Sequence, residues 1–338
     1  TDDMPFLIDS ITMLIYHQGL TIHRLMHPLL GVERDASGKL LHSAGLGSVG
    51  TRTESWIHLE IDRVSDVRQI EALRTEIVEV LADVRAAVED VAAMRQRINS
   101  AIADLDRAPN AEAEEIAEYL RWIAAGNFVF LGYTHYHVAA GDSELKRAPD
   151  GGLGLLRRID HPRFGRCLAG IPGQLADIER ISSALTLVKA DVRSTVHRPA
   201  YLDFIGIVHR NATGNIVGEH VFVGLYASRF YHVSTTEIPV VRGKVAKVRA
   251  DCGFAPGSHK DKTLLNVLET YPRDELIESA DNDLQRIAGG IVMLQEHPRV
   301  RVFLRDDTWG RYVSAMIFMP RDRFDTTIRR RISTLLSD

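Results

Sequence analysis

The sequence predicts a multi-module α+β protein in which antiparallel sheets are joined by long helices. Three observations support this fold class. The chain has 338 residues, and domains of about 100–200 residues predict two or three of them. Segments with period-two alternation occur close to turn signals, as antiparallel strands do. Between them lie long segments with helical periodicity and few glycines or prolines.

The composition excludes several classes of protein. Hydrophobic residues make up 45% of the chain and charged residues 25%, the balance of an ordinary globular protein. The net charge of −4 gives no reason to expect nucleic acid or an anionic membrane as a partner. Two cysteines, Cys167 and Cys252, exclude a disulfide scaffold, fit the cytoplasm and are expected to be structural thiols.

Residues 1–65 form the first predicted module. A helix is expected over residues 5–18, followed by a strand over 20–33 and a half-buried strand over 55–62, whose apolar residues alternate with polar ones. The order helix, strand, turn, strand, helix is most of a β-α-β-β-α-β unit. Its first strand would precede Thr1, so we expect the chain to be a piece of a longer protein.

Residues 66–108 predict one unbroken helix of some 40 residues, about 60 Å long. Two interpretations of its heptad repeat are open. The helix forms an oligomer contact or a lever, or it is one arm of a helical hairpin within the chain. The apolar positions that recur at intervals of seven are Ile70, Ile77, Val84, Val91, Ile98 and Leu105.

Residues 110–250 predict a second module, mainly antiparallel sheet with a few helices. Asn110 is a candidate N-cap for a helix over 111–125. Further elements are expected as a strand over 127–138, a polar loop over 139–155, a short helix over 172–183, and strands over 185–189, 201–208 and 216–227, the last two joined by a hairpin turn.

The rest of the chain predicts a helical connector and the start of a third module. The connector covers 258–297, with candidate helices over 262–268 and 274–296. A hairpin follows over 300–319, and a helix begins near 324. Residues 299–338 therefore indicate a truncated α/β unit.

The glycine motif at residues 45–50 (GLGSVG) matches the pattern of dinucleotide-binding loops. That chemistry requires a helix after the last glycine, whose N-terminus faces the pyrophosphate. A strand follows here instead, so we expect a hairpin loop and no cofactor in this segment.

The histidines give only weak metal-binding patterns. His135 and His137 share one strand face and could chelate an ion, but the sequence assigns no third ligand. His23 and His27 are about 13 Å apart on a strand. We therefore predict no metal site, and no catalytic residue stands out either.

The richest polar segment runs from Lys189 to Pro199. On a strand, Lys189, Arg193 and His197 share one face with Asp191 and Thr195. One interpretation is a pocket for an anion or carboxylate that uses Arg193 and His197. The other is a solvated ladder of ion pairs between domains.

The entry into the first helix is a second candidate ligand contact. Backbone N–H groups in the turn formed by Asp3, Pro5 and Phe6 could bind a ligand carboxylate, as in small amino-acid sensor modules. Alternatively, Asp2 or Asp3 caps the helix.

Nine segments spread along the chain form a specific pattern through their order and spacing. They are residues 2–10 (DDMPFLIDS), 27–30 (HPLL), 34–38 (RDASG), 54–63 (ESWIHLEIDR), 127–133 (NFVFLGY), 189–206, 218–226 (GEHVFVGLY), 271–276 (YPRDEL) and 319–324 (MPRDRF). In this order they resemble the N-terminal region of the large bacterial NAD-dependent glutamate dehydrogenases.

The resemblance implies a regulatory region that precedes a Rossmann-type catalytic domain. It implies ACT-like modules at 1–65 and 299–338, a PAS-like module at 110–250 and helical connectors. The family's catalytic lysine has no matching position, so no catalytic or NAD-binding residue is carried over. The whole enzyme would convert L-glutamate, NAD and water to 2-oxoglutarate, ammonia and NADH in the cytoplasm.

Three functions from different classes follow. The first is a regulatory and oligomerisation segment, whose partners are other copies of the chain, the downstream catalytic domain and an amino-acid effector. The second is a free-standing small-anion-binding enzyme or sensor that uses the strand from Lys189 to His197. The third is a structural spacer without a ligand.

Overall fold

The computed structural model describes residues 1–107, 109–138, 145–148, 151–158, 183–296, 299–307 and 310–337. The helix expected over 172–183 and the thiol of Cys167 lie outside these residues. The chain folds as two compact units. The first contains Thr1–Pro109 and Phe128–Tyr226, and the second contains Asn110–Asn127 and Ala227–Asp338. Both combine helices with antiparallel strands, so the α+β class is confirmed.

The first unit opens with one helix and five short strands. These are α1 (Leu7–His17), β1 (Ile22–Met26), β2 (Leu29–Arg34), β3 (Leu40–Ala44), β4 (Arg52–Ser55) and β5 (His58–Ile61). They form two antiparallel sheets, one of order β3-β2-β4 and one that pairs β1 with β5. The helix and the positions of β1, β2 and β5 agree with the sequence prediction, whereas β3 and most of β4 lie outside the predicted strands.

Each strand predicted to be continuous in this region is divided. The strand expected over 20–33 breaks at His27-Pro28, because proline has no N–H to donate to a ladder, and its halves join different sheets. The strand expected over 55–62 also divides after Ser55, and its halves, β4 and β5, join different sheets. The loop at 45–50 joins β3 and β4, which lie on opposite sides of β2. It is therefore a crossover and not the predicted hairpin.

The heptad segment forms two helices rather than one. They are α2 (Val67–Glu89), which Asp66 caps through Arg68 N, and α3 (Val91–Leu105). The interruption falls at Asp90, a buried residue whose carboxylate accepts a 2.6 Å hydrogen bond from Gly154 N and pairs with Arg157. These partners come from a distant part of the chain, so the periodicity of residues 66–108 could not reveal the break.

The heptad seam packs mainly within the chain, against a sheet. Both helices contact the central strands described below. Val84, Ile98 and Leu105 are buried, whereas Ile77 is half-buried. Of the six recurring apolar residues, only Ile70 and Val91 are exposed, at 44% and 39%. Helix α2 also packs against α1, so the partners of the heptad segment in the described residues are one short helix and the sheet rather than a second long helix.

The central sheet of the first unit has the order β7-β6-β11-β10-β9, with β8 also on β6, and every pairing is antiparallel. Its strands are β6 (Phe128–Val138), β7 (Leu145–Arg147), β8 (Leu153–Gly154), β9 (Leu185–Arg193), β10 (Tyr201–Arg210) and β11 (Ile216–Tyr226). The predicted hairpin turn between β10 and β11 is confirmed. Because side chains alternate between faces, register decides which residues meet.

The second unit is mainly helical. Its elements are α4 (Ala111–Trp122), α5 (Ser228–His232), α6 (Val241–Asp251), α7 (His259–Thr270), α8 (Arg273–Glu278), α9 (Asp281–Glu296), β12 (Arg301–Asp306), β13 (Val313–Phe318) and α10 (Thr326–Ser337). Asn110 caps α4 through Ala113 N, as predicted. The helix expected over 274–296 is two helices, and the hairpin β12-β13 is confirmed.

The predicted module 110–250 differs from this division of the chain. Helix α4 groups with residues 227–251, because Arg242 pairs with both Glu115, at 2.7 Å, and Glu118. Glu115 also accepts a hydrogen bond from Val240 N. Only the strands of 128–226 belong to the first unit. Among the described residues, no helix is long and apolar enough to span a membrane.

Candidate functional site

A cleft of about 510 Å³ opens in the first unit between α1, α2 and the end of β9. This volume is in the range of small-molecule sites. Its polar lining comes from Ser10 of α1, Glu76 of α2, and Asp191 and Arg193 of β9, while Met13 contributes apolar surface. The cleft therefore presents both signs of charge beside an apolar wall.

Arg193 lies in the cleft lining, as one of the predicted contacts. Its Nη1 donates a 3.1 Å hydrogen bond to the Pro199 carbonyl, and its guanidinium lies 4.6 Å from the centre of the Tyr201 ring. The side chain is thus oriented by two neighbours. An arginine has five N–H donors, so the bond to Pro199 occupies a small part of its capacity.

Phe6 and His197, predicted on separate segments, meet beside this cleft. Their ring centroids are 5.0 Å apart, and His197 N donates to Ser10 Oγ at 3.1 Å. Both residues have positive φ, 71° for Phe6 and 74° for His197. Residues other than glycine seldom adopt a positive φ, so contacts with neighbouring residues must stabilise this backbone conformation. His197 Nδ1 lies 3.6 Å from Asp9 Oδ2.

The start of α1 differs from the predicted cap. Phe6 occupies the N-cap position, and no side chain of the described residues caps this helix. Asp2 instead pairs with Arg85 of α2 at 2.7 Å, and the hydrogen bond from Arg85 lowers the pKa of Asp2. Asp3 and Pro5 are exposed and lie outside the cleft lining.

The polar face predicted for β9 is divided between two environments. Burial alternates along the strand as expected, with Asp191 and Arg193 exposed. Lys189 lies away from the cleft, where its Nζ contacts Asp203 Oδ1 of β10 at 2.6 Å. His197 follows the end of β9, so its predicted place on the strand is wrong.

A second polar group lies in the central sheet, where three histidines from three neighbouring strands converge. His135 of β6, His209 of β10 and His220 of β11 each place a ring nitrogen within 4.8 Å of the other two. His135 Nε2 and His209 Nε2 are 3.1 Å apart. The sequence pattern pairs His137 with His135 and predicts no metal site, because it does not contain the cross-strand neighbours.

Polar groups contact both ring nitrogens of His220. His220 Nδ1 contacts the Tyr133 hydroxyl at 2.8 Å, and its Nε2 contacts Asp104 Oδ2 at 2.9 Å. That second bond lowers the pKa of Asp104. Burial, followed by the neighbouring His220, lowers the pKa of His209 to about 4.

Glu219, next to His220, points to the opposite face of the sheet. Glu219 is 1% exposed, and neither carboxyl oxygen has a hydrogen-bond partner among the residues that the structure describes. Burial raises the pKa of Glu219 to about 8, so the group is mainly protonated at neutral pH.

Three family models match the chain. They describe the glutamate dehydrogenase ACT1 domain (residues 1–77), helical motif 1 (238–297) and the ACT2 domain (301–338). The ACT matches confirm the predicted ACT-like modules, the first of which extends into α2. The helical-motif match begins near α6, earlier than the predicted connector at 258, in agreement with the second unit.

Similar full-length proteins come from three bacteria. The chain is 34% identical to the NAD-specific glutamate dehydrogenase of Halomonas elongata over all of its length and 22% of that protein. It is 35% identical to the Pseudomonas aeruginosa protein of the same name, over 99% of the chain and 21% of the relative. For the Mycobacterium tuberculosis protein of that name, identity is 29% over 98% of the chain and 20% of the relative. The chain thus spans about a fifth of the length of these relatives.

Proposed function

Since the chain belongs to the N-terminal region of the bacterial NAD-specific glutamate dehydrogenases, we propose that it is the regulatory and assembly segment of such an enzyme. The whole enzyme would convert L-glutamate, NAD and water to 2-oxoglutarate, ammonia and NADH. In this proposal, NAD binds to the downstream catalytic domain, and the segment itself carries no catalytic residue. Its partners are that domain, other copies of the chain and an amino-acid effector.

Two further parts of this proposal concern residues 128–226 and location. The antiparallel central sheet is assigned the role of the PAS-like module, for which the support is its strand order and the position between the two ACT matches. The small number of cysteines supports a cytoplasmic location.

The observation that carries the effector proposal is the charge distribution of the cleft. Arg193 offers N–H donors suited to a carboxylate. Glu76 and Asp191 offer carboxylates for an ammonium group, and Glu76 is oriented by a 2.6 Å hydrogen bond from Gln18 Nε2. Met13 supplies an apolar surface for a side chain. A zwitterionic amino acid satisfies all three features.

Ligand binding in the cleft would act on the contacts between its walls. The first wall, α1, contacts the β9 end through Ser10 and His197. The second, α2, contacts it through Asp83, which accepts a 2.9 Å hydrogen bond from Thr195 Oγ1. A ligand that prefers one spacing of these elements shifts their equilibrium toward that spacing. This is the coupling that a regulatory segment requires.

Calorimetric titration of the 338-residue chain with the common amino acids tests the effector proposal. We expect at least one to bind, and Arg193→Ala to weaken it about tenfold or more, since a charged hydrogen bond contributes about 1.5–3 kcal/mol. Arg210→Ala is the matched control, because Arg210 lies at the hairpin tip and contacts only Gly214 O in the described residues. No binding of any amino acid at millimolar concentration would contradict the proposal.

The assembly proposal rests on apolar residues that α2 leaves open. Val67, Ile70 and Val78 are 71%, 44% and 61% exposed, and such residues favour contact with another surface. Light scattering during size-exclusion chromatography should show an oligomer, which Ile70→Lys with Val78→Lys should weaken. A strict monomer at all concentrations would refute self-assembly through this segment.

A further inference from the structure

The histidine cluster, defined as His135, His209 and His220, is distinct from the cleft. It lies where β6, β11 and β10 are adjacent in the central sheet. Register places His135 directly opposite His220 and His209 opposite Gly218. With side chains alternating along each strand, the three rings lie on the same face of the sheet.

The spacing of the rings matches a metal site. Zinc binds imidazole nitrogen at about 2.0–2.1 Å with tetrahedral geometry, which separates two ligand nitrogens by about 3.3 Å. His135 Nε2 and His209 Nε2 are 3.1 Å apart, and a nitrogen of His220 lies within 4.8 Å of both. We propose that His135, His209 and His220 bind a divalent transition-metal ion, best matched by Zn²⁺.

The surroundings supply the outer contacts of such a site. Metal-bound histidines commonly donate their second nitrogen to a carboxylate or another polar group. His220 has Asp104 at one nitrogen and the Tyr133 hydroxyl at the other, so whichever nitrogen binds the ion, the other remains held. The second oxygen of Asp104 pairs with Arg107 at 2.8 Å, which fixes the carboxylate.

The ring of His209 packs directly against the backbone of Gly218. A methyl group added at Gly218 would collide with His209 Nε2. The His209 side chain is 8% exposed, and within the described part of the chain its Nδ1 has no hydrogen-bond partner, although Asp104 Oδ2 is 4.0 Å away. With an ion on Nε2, the ring proton of His209 lies on Nδ1, which faces Asp104 Oδ2.

The ion would connect four elements of the first unit. It would join three strands directly and reach α3 through Asp104. Binding would therefore stabilise the packing of α3 on the sheet, because an ion that binds only the folded state adds its binding energy to folding.

The untagged 338-residue chain, stripped of metal with a chelator and dialysed, provides the test. On adding zinc sulfate, we expect about one ion per chain with micromolar affinity or better, measured by competition with a chromogenic chelator. Cobalt in place of zinc should give the visible absorption bands of a tetrahedral site. Less than about 0.1 ion per chain in tenfold excess zinc would overturn the proposal.

Variants separate this site from surface binding. His209→Ala should weaken zinc binding about 100-fold, and Asp104→Asn about tenfold as an outer contact. His137→Ala is the matched control, since His137 lies two residues from His135 on β6 but outside the cluster. Unchanged zinc affinity in His209→Ala would overturn the proposal. The cobalt spectrum of the unaltered chain keeps it testable if a variant fails to fold.

Discussion

Two polar clusters in the central sheet differ in how they are assembled. The strand cluster, Lys189, Asp191 and Arg193, lies within five residues of β9, and its last two members are exposed. The histidine cluster draws on three strands, with His135 and His209 74 residues apart. Charges that are neighbours along one edge strand stay in water, where a small ligand can exchange. Rings brought together by register are enclosed, which suits a bound ion.

One helix of the heptad segment lies beside each cluster. Asp83 of α2 bonds to Thr195 near the strand cluster, and Asp104 of α3 bonds to His220. Both sites therefore depend on one layer of helix packing, even though their exposure differs.

The largest expected effect comes from breaking that shared layer. Met94 of α3 is fully buried, so Met94→Ala should lower the free energy of unfolding by about 2–5 kcal/mol. Ile70→Ala, at a half-exposed position of α2 in the same heptad repeat, should lower the free energy of unfolding by less than about 1 kcal/mol. Urea unfolding followed by circular dichroism measures both. Equal effects would contradict the packing of α3 against the sheet.

A smaller effect separates Lys189 from the other members of the strand cluster. Lys189→Met removes the lysine that pairs with Asp203, which is 3% exposed and keeps a 3.1 Å hydrogen bond from Tyr226 N. We expect a loss of roughly 2–3 kcal/mol, because the charge of Asp203 stays buried. Asp191→Asn, on the same strand face, should change stability by less than about 0.5 kcal/mol. If the double variant Lys189→Met with Asp203→Leu is no more stable than Lys189→Met alone, the unpaired charge of Asp203 does not cause the loss of stability.

Glu54 in the β3-β2-β4 sheet differs from both clusters, because it is a buried carboxylate whose charge is paired with arginines. Hydrogen bonds from Arg34 above all, and from Arg52 and Trp56, lower the pKa of Glu54 to about 2. A lowered carboxyl pKa stabilises the fold above pH 4.5, and that stability is lost as pH falls toward 2.

Thermal melts between pH 6 and pH 2.5 should show this loss, of about 1–3 kcal/mol. Glu54→Gln should flatten the curve in this window and be less stable than the unaltered chain at pH 6. An identical pH dependence in both proteins would refute the contribution of Glu54.

The smallest effect is expected at Arg193. Its contacts to Tyr201 and Pro199 lie at the surface, where a cation–π contact contributes about 0.5–1 kcal/mol. Arg193→Ala should therefore reduce stability by no more than about 1 kcal/mol while it weakens ligand binding in the cleft about tenfold or more. A change of several kcal/mol in the urea midpoint would show that Arg193 supports the fold instead.

Elements with a local cause could be predicted from the sequence. The turn between β10 and β11, the cap at Asn110 and the alternating face of β9 each depend on a few neighbouring residues. The heptad repeat likewise identified Val84 and Ile98 as packing positions. It could not identify their partner, because an apolar stripe packs equally well on a helix or a sheet.

Features with a distant cause could not be predicted. The break at Asp90 depends on Gly154 and Arg157, far along the chain. The hairpin turn between β10 and β11 fixes the register of these strands, so the proximity of His209 and His220 could be predicted from the sequence. Their meeting with His135 requires the order of β6, β11 and β10, which no local pattern contains. The close contact of Phe6 with His197 likewise joins residues that are far apart in the sequence.

The most direct test of the effector cleft is made on a full-length NAD-dependent glutamate dehydrogenase that contains this segment. Met13→Trp would fill the cleft from α1, with Arg210→Ala as the control. We predict that an amino acid which binds the chain changes the rate of NADH formation, and that in Met13→Trp the ratio of rates with and without it falls to about one. The same ratio in Met13→Trp as in the unaltered enzyme would contradict the assignment of this cleft as the regulatory site.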